Sequence, residues 1–177
     1  MIQKRIVAPT DIFGLGYINC GTSFHKGCWV KLDGKWAAKA GPAGLEGYPG
    51  YANAGDIKFS PATSSDGSTV PAFPCDANEF QREGSNLSLD LLTSGEGVIT
   101  FKGGIFETDQ YSTDITSNLS IGAPLYLTST SILASGEGDG TVAHTGVPVR
   151  AYFLGLKSGY DSDHVGKPLM MFEMARF

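Results

Sequence analysis

Gly97-Val-Ile-Thr-Phe-Lys-Gly-Gly-Ile-Phe-Glu-Thr108 is two short apolar runs split by Lys102-Gly103-Gly104. Runs of about four to eight residues, rich in β-branched and aromatic side chains and bounded by turn residues, read as strands. The pattern extends in both directions. Leu87-Ser-Leu-Asp-Leu-Leu92 precedes it; Ile121-Gly-Ala-Pro-Leu-Tyr-Leu-Thr128, Ile132-Leu-Ala134 and Val147-Pro-Val-Arg-Ala-Tyr-Phe-Leu-Gly-Leu156 follow. Pro168-Leu-Met-Met-Phe-Glu-Met174 is uninterrupted apolar but for its glutamate, the signature of a closing strand buried on both faces. Several strands at short spacing predict an all-β fold, a small β-barrel or sandwich.

Nearer the N-terminus, Phe24 to Ala40 places Asp33-Gly34 between two partly alternating runs, which predicts a hairpin turning at 33–34. Trp29, Lys31 and Asp33 then share one face and Val30 and Leu32 the other. Residues 41–83 are dominated by Gly, Pro, Ser, Asp and Thr and read as a long loop-rich insertion. A loop of that length is either functional or ordered by a partner. Residues 1–22 are expected as an extended N-terminal arm, and 23–177 as a single β-rich domain.

Composition narrows function. The chain has 177 residues, 24 Gly and 9 Pro, and only 18% charged side chains against 41% hydrophobic ones, so a packed core is affordable and helices should be few. A formal charge of -5 disfavours nucleic acid and anionic membrane, both of which are captured by clustered Lys and Arg. After Met1-Ile-Gln-Lys-Arg5 no apolar run has the length of a signal core or membrane span, so the mature chain is expected to start here. Cys20, Cys28 and Cys75 form no C-x-x-C pair and read as reduced thiols made in a cytoplasm, with a Cys20–Cys28 bridge open as an alternative.

Catalytic machinery is not expected. Nucleophilic catalysis needs a Ser or Cys beside an oriented His, and His25 lies three residues from Cys28, on the opposite face of a strand. There is no Gly-x-Ser-x-Gly elbow and no phosphate-cradling glycine motif, so no cofactor is expected. Asp161, Asp163 and His164 are the one cluster with metal-ligand chemistry, but Asp and Ser between Gly159 and Gly166 are also ordinary turn formers, and a turn is the preferred reading. Gly136-Glu-Gly-Asp-Gly140 lacks the acidic spacing of a calcium loop and reads as another turn. Tyr48, Tyr51, Phe59, Phe73 and Phe80 in the 41–83 segment, with Tyr17 ahead of it, suit anchoring on another protein, and the alternative that the segment's aromatics fold back onto their own core stays open.

The order Val98-Ile-Thr-Phe-Lys-Gly-Gly-Ile-Phe-Glu-Thr-Asp-Gln-Tyr111, then Ile121-Gly-Ala-Pro-Leu-Tyr-Leu-Thr128, Ile132-Leu-Ala134 and Val147-Pro-Val-Arg-Ala-Tyr152, resembles virion proteins of the tailed-bacteriophage capsid decoration, or cement, type. The resemblance implies a non-enzymatic protein, synthesised in the host cytoplasm, that sits on the outer capsid surface and stabilises the shell. It implies the major capsid protein as partner; monomer, dimer and trimer all stay open, a trimer suiting the threefold positions of a shell. The arm through Tyr17 and the 41–83 segment are then the expected contacts. The competing expectation is a tail- or fibre-associated module that binds carbohydrate on exposed faces of Trp29 and Trp36, against the plainer and preferred reading of both as core residues.

Overall fold

The computed structural model describes residues 2–6, 12–21, 24–41, 43–44, 46–67, 69–77, 91–136, 147–157 and 168–175. Among them every regular element is a strand: β1 (Ile2–Ile6), β2 (Ile12–Ile18), β3 (Phe24–His25), β4 (Trp29–Lys35), β5 (Ile57–Pro61), β6 (Ala72–Ala77), β7 (Leu91–Leu92), β8 (Gly97–Phe101), β9 (Ile105–Thr108), β10 (Pro124–Leu127), β11 (Leu133–Ala134), β12 (Ala151–Lys157) and β13 (Leu169–Met174). The all-β expectation holds, and its barrel is explicit: β2, β5, β4, β6 and β8 close on one another in that order. Closure gives each of these strands a neighbour on both sides, although β2 meets β5 only at Tyr17 and Ile18. Its strands pair antiparallel except β2 with β5, which run parallel with Tyr17 opposite Lys58.

The second layer is an open sheet in the order β1-β9-β13-β12-β10-β11, and β3 pairs with β7 in a small ribbon. Strand alternation divides the apolar side chains between two cores. On β4, Val30 points into the barrel beside Ile18, Phe59, Cys75 and Val98, whereas Trp29 points outward toward the sheet. There Trp29 is wholly buried, 6.1 Å from the Phe172 ring, and Phe106 lies between Phe172 (5.6 Å) and Phe101 (5.3 Å). Emptying one such ring site costs about 3–5 kcal/mol, so this aromatic seam holds barrel and sheet together. The Trp29 N–H also donates to the Ser131 carbonyl (2.9 Å), joining β4 to the turn after β10.

Four expectations change. The Asp33-Gly34 pair does not turn a hairpin: β4 runs on through it, and the register against β5 slips between Leu32 and Lys35. Gly34 has φ +80°, so it supplies the left-handed residue of a bulge rather than of a two-residue turn. The 41–83 segment is not one long insertion, because 57–61 and 72–77 are barrel staves β5 and β6. The N-terminal segment is extended but is not a projecting arm: β2 closes the barrel against β8, and β1 pairs with β9 in the sheet. Finally, β13 lies between β9 and β12, with Met170, Phe172 and Met174 in the core and Met171 and Glu173 half-buried, so one face only is fully covered.

Candidate functional site

At one end of the barrel, inward-facing apolar side chains are left exposed among the described residues. Its inward-facing side chains follow from register: Leu32 stands opposite Phe59 across β4 and β5, and Ile57 shares Phe59's face two residues earlier. Phe59 is only 1% exposed, yet Leu32 is 53% and Ile57 42% exposed, because they lie past the point where the barrel's own side chains fill it. Across the opening, the β2 register slips between Ile12 and Gly14, and Phe13 occupies the slip. The Phe13 ring stacks on buried Phe73 (centroids 4.0 Å, 13° between planes) and meets Phe59 edge-on (6.3 Å), while remaining 41% exposed. Three exposed apolar side chains thus surround a floor of two buried phenylalanines. The Asp33–Lys58 ion pair (3.2 Å) and exposed Lys35 lie on the adjoining strands β4 and β5. An apolar centre beside charged groups is the anatomy of a protein-binding patch.

The two legs of the 36–56 connection are tied to each other and to the residues leading into β8. Trp36 N–H donates to Asp56 O (2.9 Å), Ala40 N–H to Ala52 O (3.0 Å), and Ala52 N–H to Gly95 O (2.9 Å). Gly95, with φ +91°, has no room for a side chain: a Cβ there would stand 2.7 Å from the Ala40 carbonyl. This long loop is therefore ordered by its own chain. Burial, with Asp56 nearby, raises the Tyr17 phenol above its ordinary value.

The proposed anchors separate accordingly. Tyr48 is exposed on the loop, and Tyr17 and Tyr51 are half-buried. Phe59 and Phe73 are core residues, which corrects their reading as surface anchors: strand alternation turns both into the barrel, where they form the floor of the mouth. Phe80 lies outside the described residues, as do Asp161, Asp163 and His164. Among the described residues no cluster of three metal-ligating side chains occurs. Trp29 is buried in the aromatic seam and presents no face to a sugar, and Trp36 is half-buried. Phe13, Leu32 and Ile57 were not foreseen; apolar residues at inward strand positions look like core unless one knows which end of the barrel is open.

Cys20, Cys28 and Cys75 are unbridged and buried. Burial pushes the Cys28 thiol up to about 12 and raises Cys75 well above its ordinary value and Cys20 to a lesser extent. These are inert packing thiols, since the thiolate is the nucleophile. His25 is exposed at the start of the turn whose Cys28 N–H returns to its carbonyl (3.2 Å), so the two side chains diverge.

No protein-family model, no curated protein and no solved structure matches this chain.

Proposed function

We propose that this chain is a non-enzymatic binding protein whose working surface is the apolar barrel mouth. Within that class, the reading that fits best is a virion structural protein of the capsid decoration type, which docks on the major capsid protein at the outer surface of a phage shell and stabilises it. The observation that carries the proposal is the set of exposed Phe13, Leu32 and Ile57 around Phe59 and Phe73. The Phe13 ring, already packed on Phe59 and Phe73, loses little conformational entropy on docking, which is what makes an efficient anchor.

The remaining features support the same reading. Stabilisation by a bound partner needs binding to the assembled state and no chemistry, and many copies on one shell add their binding free energies. A charge of -5 would be repelled by packaged DNA and favours the exterior. Self-association into dimers or trimers would match symmetric positions on a shell. The direct test is cosedimentation of the purified chain with expanded capsids of the same phage prepared without it, alongside the capsid disruption temperature. Saturable binding with a raised disruption temperature is expected; absence of binding would overturn the proposal.

A further inference from the structure

The connection from β9 to β10, in the sheet layer away from the barrel mouth, is a series of tight turns. Ile115 N–H donates to Ser112 O (3.2 Å), Leu119 N–H to Thr116 O (3.1 Å) and Ala123 N–H to Ser120 O (3.0 Å). Turns favour Ser, Thr, Asn and Asp for their local hydrogen bonding. Here Asp114, Thr116, Asn118 and Ser120, joined by Ser135 from the end of β11, line a half-open cavity of about 390 Å³. Leu119 and Ala123 add an apolar strip to its wall.

Asp114 joins the two sides of the cavity. Its Oδ2 accepts from the Ser135 N–H (2.8 Å) and hydroxyl (2.6 Å) and, at longer range, from the Gly136 N–H (3.3 Å). Its Oδ1 is buried and has no hydrogen-bond partner. Closed off from solvent, Oδ1 does not face a ligand: Asp114 pins Ser135 and Gly136 into the wall, and the polar side chains presented to the cavity are the exposed Thr116, Asn118 and Ser120.

We infer that this groove binds a neutral saccharide unit. Among the described residues that line it there is no Lys, Arg or His, so these side chains offer no positive charge to hold an anion. The one carboxylate among its described residues, Asp114, already receives three donors on one oxygen, a poor cage for a hard cation that wants several oxygens. Hydroxyls and an amide provide donors and acceptors side by side, and Leu119 and Ala123 suit the C–H face of a pyranose ring. The cavity falls in the range of small-molecule sites, about 300–1,000 Å³. This site is separate from the barrel mouth, does not involve Trp29 or Trp36, and does not depend on the capsid proposal.

The test is saturation-transfer difference NMR on the full chain with glucose, galactose, mannose and N-acetylglucosamine as probes, followed by titration of any sugar that responds. At least one is expected to bind with Kd on the order of 1 mM. Asn118→Ala should weaken that binding about tenfold, the loss of roughly one good hydrogen bond. Leu32→Asp, at the barrel mouth, should leave it unchanged. Asn118 is exposed, so the variant should keep the parent far-UV spectrum; Ser120→Ala is the second variant. Transfer from none of the four sugars, unaltered sugar binding in both groove variants, or binding of arginine amide in place of the sugars would each overturn the assignment.

Discussion

Gly16 lies directly over the Phe59 ring: a Cβ built at Gly16 would stand 2.7 Å from Phe59 Cε2 and 2.9 Å from the Ile57 carbonyl oxygen. The glycine is what allows an aromatic side chain to fill the barrel beneath the mouth. Gly16→Ala should destabilise the fold by about 2 kcal/mol, since overpacking a well-filled core costs about 1–3 kcal/mol. Urea unfolding measures this, and Phe59→Leu in the same chain should recover part of the loss because the two sites are in contact. Purely additive losses would show that the two positions are independent.

The buried thiols make a second prediction. Cys28 and Cys75 hold their protons in the folded chain above the pH at which an unfolded cysteine, of ordinary value 9.0, releases them. Their contribution to stability is complete below pH 9 and falls as pH rises through the folded values. At pH 8 neither should react with a thiol-specific disulfide reagent on the native protein, and both should react at once in guanidinium. Rapid native labelling of either would contradict their burial.

Asp66 provides a pH dependence at the acid end. Partial burial would raise its carboxyl, but hydrogen bonds from the Lys31 ammonium and the Thr63 N–H (2.8 Å) and the charge of Lys31 outweigh it and hold the group below its ordinary value of 3.8. Stability from this group is therefore present above pH 3.8 and lost as pH falls through the lower folded value. Asp66→Asn should cost about 1 kcal/mol at pH 7 and flatten the stability loss between pH 5 and 2, read from urea midpoints. Parallel pH profiles for parent and variant would show that Asp66 carries no such share.

Much of the fold is legible in the sequence where apolar runs are short and bounded by turns, as at 97–108, 124–127 and 151–157. It is illegible where one residue pair serves two geometries. Asp33-Gly34 suits a two-residue turn and also a bulge, and only the pairing of Lys35 with Ile57 decides between them. Glycines at 14 and 16 weaken the strand signal of 12–18, although Gly16 is small because Phe59 needs its space. Phe59 and Phe73 sit in loop-like composition and so resemble surface anchors. The polar groove cannot be read locally either, since it forms only when Ser135 is brought beside Asp114.

The barrel mouth is the central claim, and a single side chain tests it. Leu32 is exposed, so Leu32→Asp should leave folding intact while placing a charge among the apolar side chains of the patch. On the proposed capsid-docking role, binding of parent and variant to expanded capsids lacking this protein should differ by about thirtyfold or more, the loss expected of an interface anchor. Equal binding of the two to the same capsids would contradict the assignment of the mouth as the docking surface.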